Sequence, residues 1–188
     1  MDRTKYTQNK IENIEALEIN FTDSQEKIEV IDNFFDQETF NMIKYGILET
    51  EAIPWFLSNS VSGLPEDEDK DCYFIHMFYI NHSIRSNKFD DLIRPFIGPL
   101  NIRSLLRVKA NLYPRTDVIV EHPPHIDYPY SHKGAIFYLN TNDGFTMIGD
   151  RKIESVENRL LKFDPFMPHN STNCTDTAYR ANINFNYL

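Results

Sequence analysis

From Ser104 onward the chain reads as a succession of short strands broken by turn-forming clusters, and this rhythm limits the possible folds more than any other feature. The segments are roughly 104–113, 117–127, 134–141, 144–149, 151–156, 159–164, 169–174 and 180–187. Between them stand Pro114, Thr141-Asn142-Asp143, Gly149-Asp150, Glu157-Asn158, Asp164-Pro165 and Thr175-Asp176-Thr177, residue types that fix or tolerate turn backbone. Eight strands in about 85 residues predict a double-stranded jelly roll. In the last segment polar and apolar residues alternate strictly, so Arg180, Asn182, Asn184 and Asn186 share one face. An outer strand facing water has the same alternation, whereas a polar stripe inside a jelly roll needs a polar ligand to satisfy it.

The preceding half supplies support. Ile28 to Ile31 reads as a strand, and Asp36 as the N-cap of a helix running to about Glu49, with Phe35 stapled onto Phe40. Phe40, Ile43, Ile47 and Leu48 keep helical spacing on one buried face. Residues 54–71, ending in the acidic run Glu66 to Asp71, form a polar loop, either a substrate lid or simply mobile. Cys72 to Ile80 is a strand or buried connection, and Phe89, Leu92, Ile93 and Phe96 mark a helix that Pro95 kinks or ends. The expected architecture is mainly β (α+β): one domain over 1–188, with a polar arm at 1–27, a strand and helix support region at 28–103 and a jelly-roll core at 104–188, its helices covering one sheet.

The formal charge of -9 argues against a bare phosphate backbone as partner, because non-specific nucleic-acid affinity comes from Lys and Arg. The two cysteines, Cys72 and Cys174, are too few and too far apart for a disulfide framework and suit a reducing compartment. Met1 to Asn20 lacks the apolar stretch of a signal peptide, and no run approaches the roughly 18 apolar residues of a membrane span. A cytoplasmic protein of unspecified oligomeric state, with neither membrane nor nucleic-acid partner, is the expectation.

Within the core, His125 and Asp127 stand at i and i+2, so on an extended strand they project from one face and can grip a single metal ion. His169, 42 residues after Asp127, could complete a set of two imidazoles and one carboxylate, and Arg180 follows 11 residues later. That donor set leaves neighbouring coordination positions open, which suits non-haem Fe(II). A lone His-x-Asp also occurs by chance, and His169 after Pro168 could be a turn residue. His122 reads as a rim residue, His76 and His82 as structural or surface groups, and Tyr128 and Tyr130 as borders of a mouth.

Taken in order, Asn111-Leu112-Tyr113-Pro114, His125-Ile126-Asp127, Ile136-Phe137-Tyr138-Leu139-Asn140, Asp143-Gly144-Phe145-Thr146, Arg159-Leu160-Leu161-Lys162-Phe163, Pro168-His169 and Arg180 resemble the core of the Fe(II)- and 2-oxoglutarate-dependent dioxygenases, most closely the prolyl 4-hydroxylase-like branch. The resemblance covers nearly the whole C-terminal half and implies that His125, Asp127 and His169 are iron ligands. It implies that Arg180 binds the distal carboxylate of 2-oxoglutarate, with Tyr138, Tyr113, Asn184 and Thr146 around the same co-substrate. The implied reaction is hydroxylation of a C–H bond in a peptide residue or a small molecule, consuming O2 and yielding succinate and CO2, with ascorbate a possible accessory. Two departures concern the substrate wall: Pro114-Arg115-Thr116-Asp117 replaces a glycine-containing turn, and Asn186 stands where some peptide hydroxylases have a bulky aromatic. Two rival readings are a cupin-like metal-binding isomerase or sensor that does not use 2-oxoglutarate, and a non-catalytic relative.

Overall fold

The computed structural model describes residues 28–61 and 72–188; the arm at 1–27 and the acidic run after Gly63 lie outside the described residues. Among the described residues there are eleven strands: β1 (Glu29–Ile31), β2 (Phe56–Ser58), β3 (Tyr73–Ile80), β4 (Ser83–Ile84), β5 (Leu105–Pro114), β6 (Lys133–Tyr138), β7 (Phe145–Ile148), β8 (Arg151–Glu154), β9 (Leu160–Phe163), β10 (His169–Ser171) and β11 (Tyr179–Tyr187). The described residues also form three helices: α1 (Gln37–Leu48), α2 (Phe89–Leu92) and α3 (Arg94–Ile97). The main sheet runs β1-β9-β6-β11-β5-β3-β2, with β4 on β3, and a second sheet runs β10-β7-β8. All pairings are antiparallel. This is the expected mainly β architecture with helices on one side.

One expected strand is not formed as such. Residues 117–127 make only two isolated bridges, Glu121 to Thr172 and His125 to His169. Pro123 and Pro124 carry no N–H, so a continuous ladder cannot form across them. The two bridges still lay this segment along β10, where it extends the smaller sheet. In the loop after Pro54, Phe56 to Ser58 form an edge strand that the polar composition of the segment conceals.

The main sheet has two unlike faces. Ala181, Ile183, Phe185 and Tyr187 of β11, with Val108 and Ala110 of β5, face the helices in one apolar core with Phe40, Ile43, Ile47, Leu92 and Phe96. α1 starts at the expected cap, where the Asp36 carboxylate accepts from the Thr39 N–H at 2.9 Å. Phe35 packs edge-on against Phe96 and Phe137, with ring centroids 4.8 and 5.7 Å away. The Asn158 side chain holds both backbone groups of Phe35, accepting from its N–H and donating to its carbonyl. The expected helix is interrupted at Ile93, just before Pro95, which occupies the first turn of α3. Among the described residues no helix is long and apolar enough to cross a membrane.

Phe137 is fully buried and meets four other phenylalanine rings. Phe137→Ala is expected to destabilise the domain by about 3–5 kcal/mol, and the exposed cap variant Asp36→Ala by clearly less, both read from urea unfolding.

Candidate metal centre

The inner face of the main sheet, opposite the helices, carries the polar residues. Pairing of β11 with β5 sets Arg180 against Tyr113, Asn182 against Asn111, Asn184 against Lys109 and Asn186 against Arg107. The smaller sheet and the proline-interrupted segment close over this face. There the bridge between His125 and His169 exchanges two backbone hydrogen bonds of 2.9 and 3.0 Å, bringing the two imidazoles to a centroid distance of 4.6 Å.

Ligating atoms of His125, Asp127 and His169 all lie within 4.8 Å of one another. His125 Nε2 is 3.9 Å from Asp127 Oδ1, and His169 Nε2 is 3.9 Å from Asp127 Oδ2. These gaps are too long for hydrogen bonds, yet bonds of ~2.1 Å to a shared ion would span them. His169 Nδ1 faces the Met167 carbonyl at 2.9 Å, so the proton sits on Nδ1 and the Nε2 lone pair is available. His125 repeats this with Pro123 at a slacker 3.5 Å. The residues therefore fit a divalent metal.

Asp127 also meets a residue that the sequence reading overlooked. Arg107 Nη2 donates to Asp127 Oδ1 at 2.6 Å, and its guanidinium lies over the Tyr128 ring at 5.5 Å. Burial alone would raise the Asp127 pKa, but Arg107, His169, His125 and Lys109 outweigh it and hold the carboxyl well below its ordinary range. Burial pushes His169 down, against the pull of Asp127, which keeps the imidazole neutral and able to ligate.

Arg180 is fully buried. It donates from Nε to Ser155 Oγ at 2.7 Å, from Nη1 to the Thr172 carbonyl at 3.1 Å and from Nη2 to Thr146 Oγ1 at 2.9 Å. Tyr138 donates to the same Thr146 oxygen at 2.9 Å. The guanidinium lies 5.4 Å from the Tyr113 ring and 5.7 Å from the Tyr138 ring. Among the described residues no carboxylate pairs with it. Burial raises both tyrosine pKa values, so both hydroxyls keep their protons. Gly144 is required beside this cluster, because a Cβ there would sit 2.6 Å from Arg180 Cδ and collide with the Asn173 carbonyl.

Thr146, Tyr138 and Tyr113 thus gather around Arg180, whereas Asn184 stands four residues along β11, roughly 13 Å away. Asn184 accepts instead from Asn186, which is bonded to His132. His122 is not on a rim: it is buried, stacks on Tyr113 at 5.4 Å and meets Ser171 Oγ at 2.9 Å. The extended Pro123-Pro124 run carries it inward, opposite β10. His76 is structural, meeting the Pro54 carbonyl at 2.8 Å, and His82 is exposed in a turn. Arg107, Lys109, Asn111 and Tyr113 repeat along β5 the period-two polar signal seen in β11, and that signal could have exposed Arg107.

No family model matches the sequence, and no curated protein matches it. Solved structures do. An oxidoreductase of the 2OG-Fe(II) oxygenase family from Burkholderia pseudomallei superposes with a TM-score of 0.60 at 10% identity, over 87% of this chain and 84% of that one. The fold is that of the 2OG-Fe(II) oxygenases. A prolyl hydroxylase from Trichoplax adhaerens, in complex with a hypoxia inducible factor peptide fragment, matches this oxygenase fold with a TM-score of 0.51 at 17% identity, covering 86% and 83% of the two chains. HygX from Streptomyces hygroscopicus, with nickel, 2-oxoglutarate and hygromycin B bound, matches with 0.54 at 13% identity, covering 86% and 82%.

The depressed His169 pKa sets a pH dependence for the metal-free oxygenase fold. The unfolded chain takes up the proton first, at about pH 6.5, so this stability is complete above that value and is lost as pH falls below it. Thermal unfolding of the metal-free protein is expected to show a Tm that drops between about pH 7 and 5, and His169→Gln to shrink that drop.

Proposed function

We propose that the protein is an Fe(II)- and 2-oxoglutarate-dependent oxygenase that hydroxylates a C–H bond of a peptide residue, prolyl-type, or of a small molecule. The observation that carries this reading is a coincidence in one space. Three metal donors and a fully buried arginine without a carboxylate partner among the described residues face the same interior. A buried guanidinium is stabilised when an anion arrives, and its planar fork suits a carboxylate.

In this reading His125, Asp127 and His169 hold Fe(II). Arg180 takes the distal carboxylate of 2-oxoglutarate with the N–H groups its three protein bonds leave over, Thr146 and Tyr138 hold its fork in orientation, and Tyr113 walls the site. When bound, Fe(II) with 2-oxoglutarate supplies activation of O2 and oxygen insertion into a C–H bond, with succinate and CO2 as co-products. The chain's own contribution is to hold donors and co-substrate in fixed relation and to keep bulk water from the buried Arg180 cluster. A cupin-like metal protein that does not use 2-oxoglutarate leaves Arg180 without a purpose. Neighbours of the same fold hold a peptide in one case and hygromycin B in another, so both substrate classes suit this architecture.

Anaerobic addition of Fe(II) and 2-oxoglutarate is expected to give a weak visible charge-transfer band, with metal binding lost in Asp127→Ala. Arg180→Met is expected to raise the 2-oxoglutarate Kd by about 10- to 100-fold and the Fe(II) Kd by less than about threefold. A folded wild type without the band, or an unchanged 2-oxoglutarate Kd in Arg180→Met, contradicts the reading.

A further inference from the structure

Three cations line the inner face of the main sheet: Arg107 and Lys109 on β5 and Arg180 on β11. Asp127 is the one carboxylate among the described residues within ion-pair distance of any of them, and its partner is Arg107. Among the described residues the Lys109 ammonium makes one hydrogen bond, a donation from Nζ to the Tyr73 hydroxyl at 3.1 Å, and lies over that ring at 5.4 Å. An ammonium has three donors, so two have no partner among the described residues. The residue as a whole is half-buried, while burial is the largest influence on its ammonium, so the charged end faces the interior. It is also close enough to the metal centre for its charge to act on both Asp127 and His169.

In the oxygenase reading above, a divalent metal and the two carboxylates of 2-oxoglutarate offset one another, one carboxylate lying at Arg180 and the other at the metal. Asp127 is shared between Arg107 and the metal. Arg180 and Lys109 then remain as two positive charges, and Lys109 is the one that no carboxylate of the described residues or of 2-oxoglutarate faces. Burial and the neighbouring charge of Arg107 push its ammonium down to about 8, which still leaves it protonated at neutral pH. A buried cation in this situation favours any ligand that brings a negative group to it.

We infer that Lys109 forms an anion subsite beside the metal centre and selects a substrate that carries a carboxylate; the inference rests on the oxygenase reading. The acid can belong to a free small molecule or to an acidic side chain close to the oxidised position of a peptide. The chain as a whole is strongly acidic, with a formal charge of -9, so the subsite is a local positive spot on a molecule that otherwise repels anions. Such contrast gives selectivity for where the acid docks.

The test is calorimetry on the Mn(II)·2-oxoglutarate form of the protein, titrated with a blocked aspartate and its asparagine counterpart, and with the same pair placed in an alanine hexapeptide. At least one acid is expected to bind about tenfold or more tightly than its amide, and whether the free or peptide format does so identifies the source. That preference is expected to fall below about twofold in Lys109→Met and Lys109→Gln and to survive in Lys109→Arg. Failure of both acids to outbind their amides overturns the subsite, as does a preference that persists in both neutral variants. Loss of 2-oxoglutarate affinity in Lys109→Met as large as that in Arg180→Met also overturns it, by assigning Lys109 to the co-substrate. If the wild type takes up no 2-oxoglutarate, the oxygenase reading fails, and the same acid and amide titrations on the Mn(II) protein still decide the role of Lys109.

Discussion

The central strand β11 obeys opposite rules on its two faces, and the rest of the molecule is arranged around that contrast. Ala181, Ile183, Phe185 and Tyr187 enter a dry aromatic core, while Arg180, Asn182, Asn184 and Asn186 are equally buried on the other side among polar groups. A slip of one residue in its pairing with β5 or β6 would drive the Arg180 guanidinium into the phenylalanine cluster. Burying an unpaired charge there costs several kcal/mol, so the register that makes the core also makes the site. Fold and candidate centre are one constraint seen from two sides. The helices need only cover the apolar face, leaving the polar face to the smaller sheet.

Those features were legible because they are local. Strict alternation announces β11, turn clusters bound β6 to β10, Asp36 announces the start of α1, and Pro95 announces the interruption just before it. What stayed hidden depends on partners distant in the chain. The segment 117–127 has strand-like composition, but two prolines prevent a ladder, and only its two bridges to the β10 region show where it lies. His122 reads as peripheral on its own spacing, yet Tyr113 and Ser171 receive it in the interior. Arg107 had a visible period-two pattern with Lys109 and Asn111. Its meaning required knowing that Asp127 comes to rest above β5, a contact between residues 20 apart that local sequence does not encode.

The same ion pair explains why one aspartate suffices as the acidic member of the centre. A carboxylate can offer an ion both oxygens, which would occupy two positions of a six-coordinate metal. Here Oδ1 is held by Arg107 at 2.6 Å, while Oδ2 faces His169 Nε2 at 3.9 Å. The bond to Arg107 orients the carboxylate and would oppose two-oxygen binding, so that His125, Asp127 and His169 would hold an ion through one donor atom each. Arg107 also lowers the negative charge that Asp127 presents, yet Asp127 remains ionised because the surrounding cations outweigh its burial. In the oxygenase reading, a centre with one carboxylate ringed by Arg107, Lys109 and Arg180 would favour co-substrates and substrates that arrive as acids. The inner face of β5, read from Tyr113 through Lys109 to Arg107, thereby links the surroundings of Arg180 to those of Asp127 along a single strand.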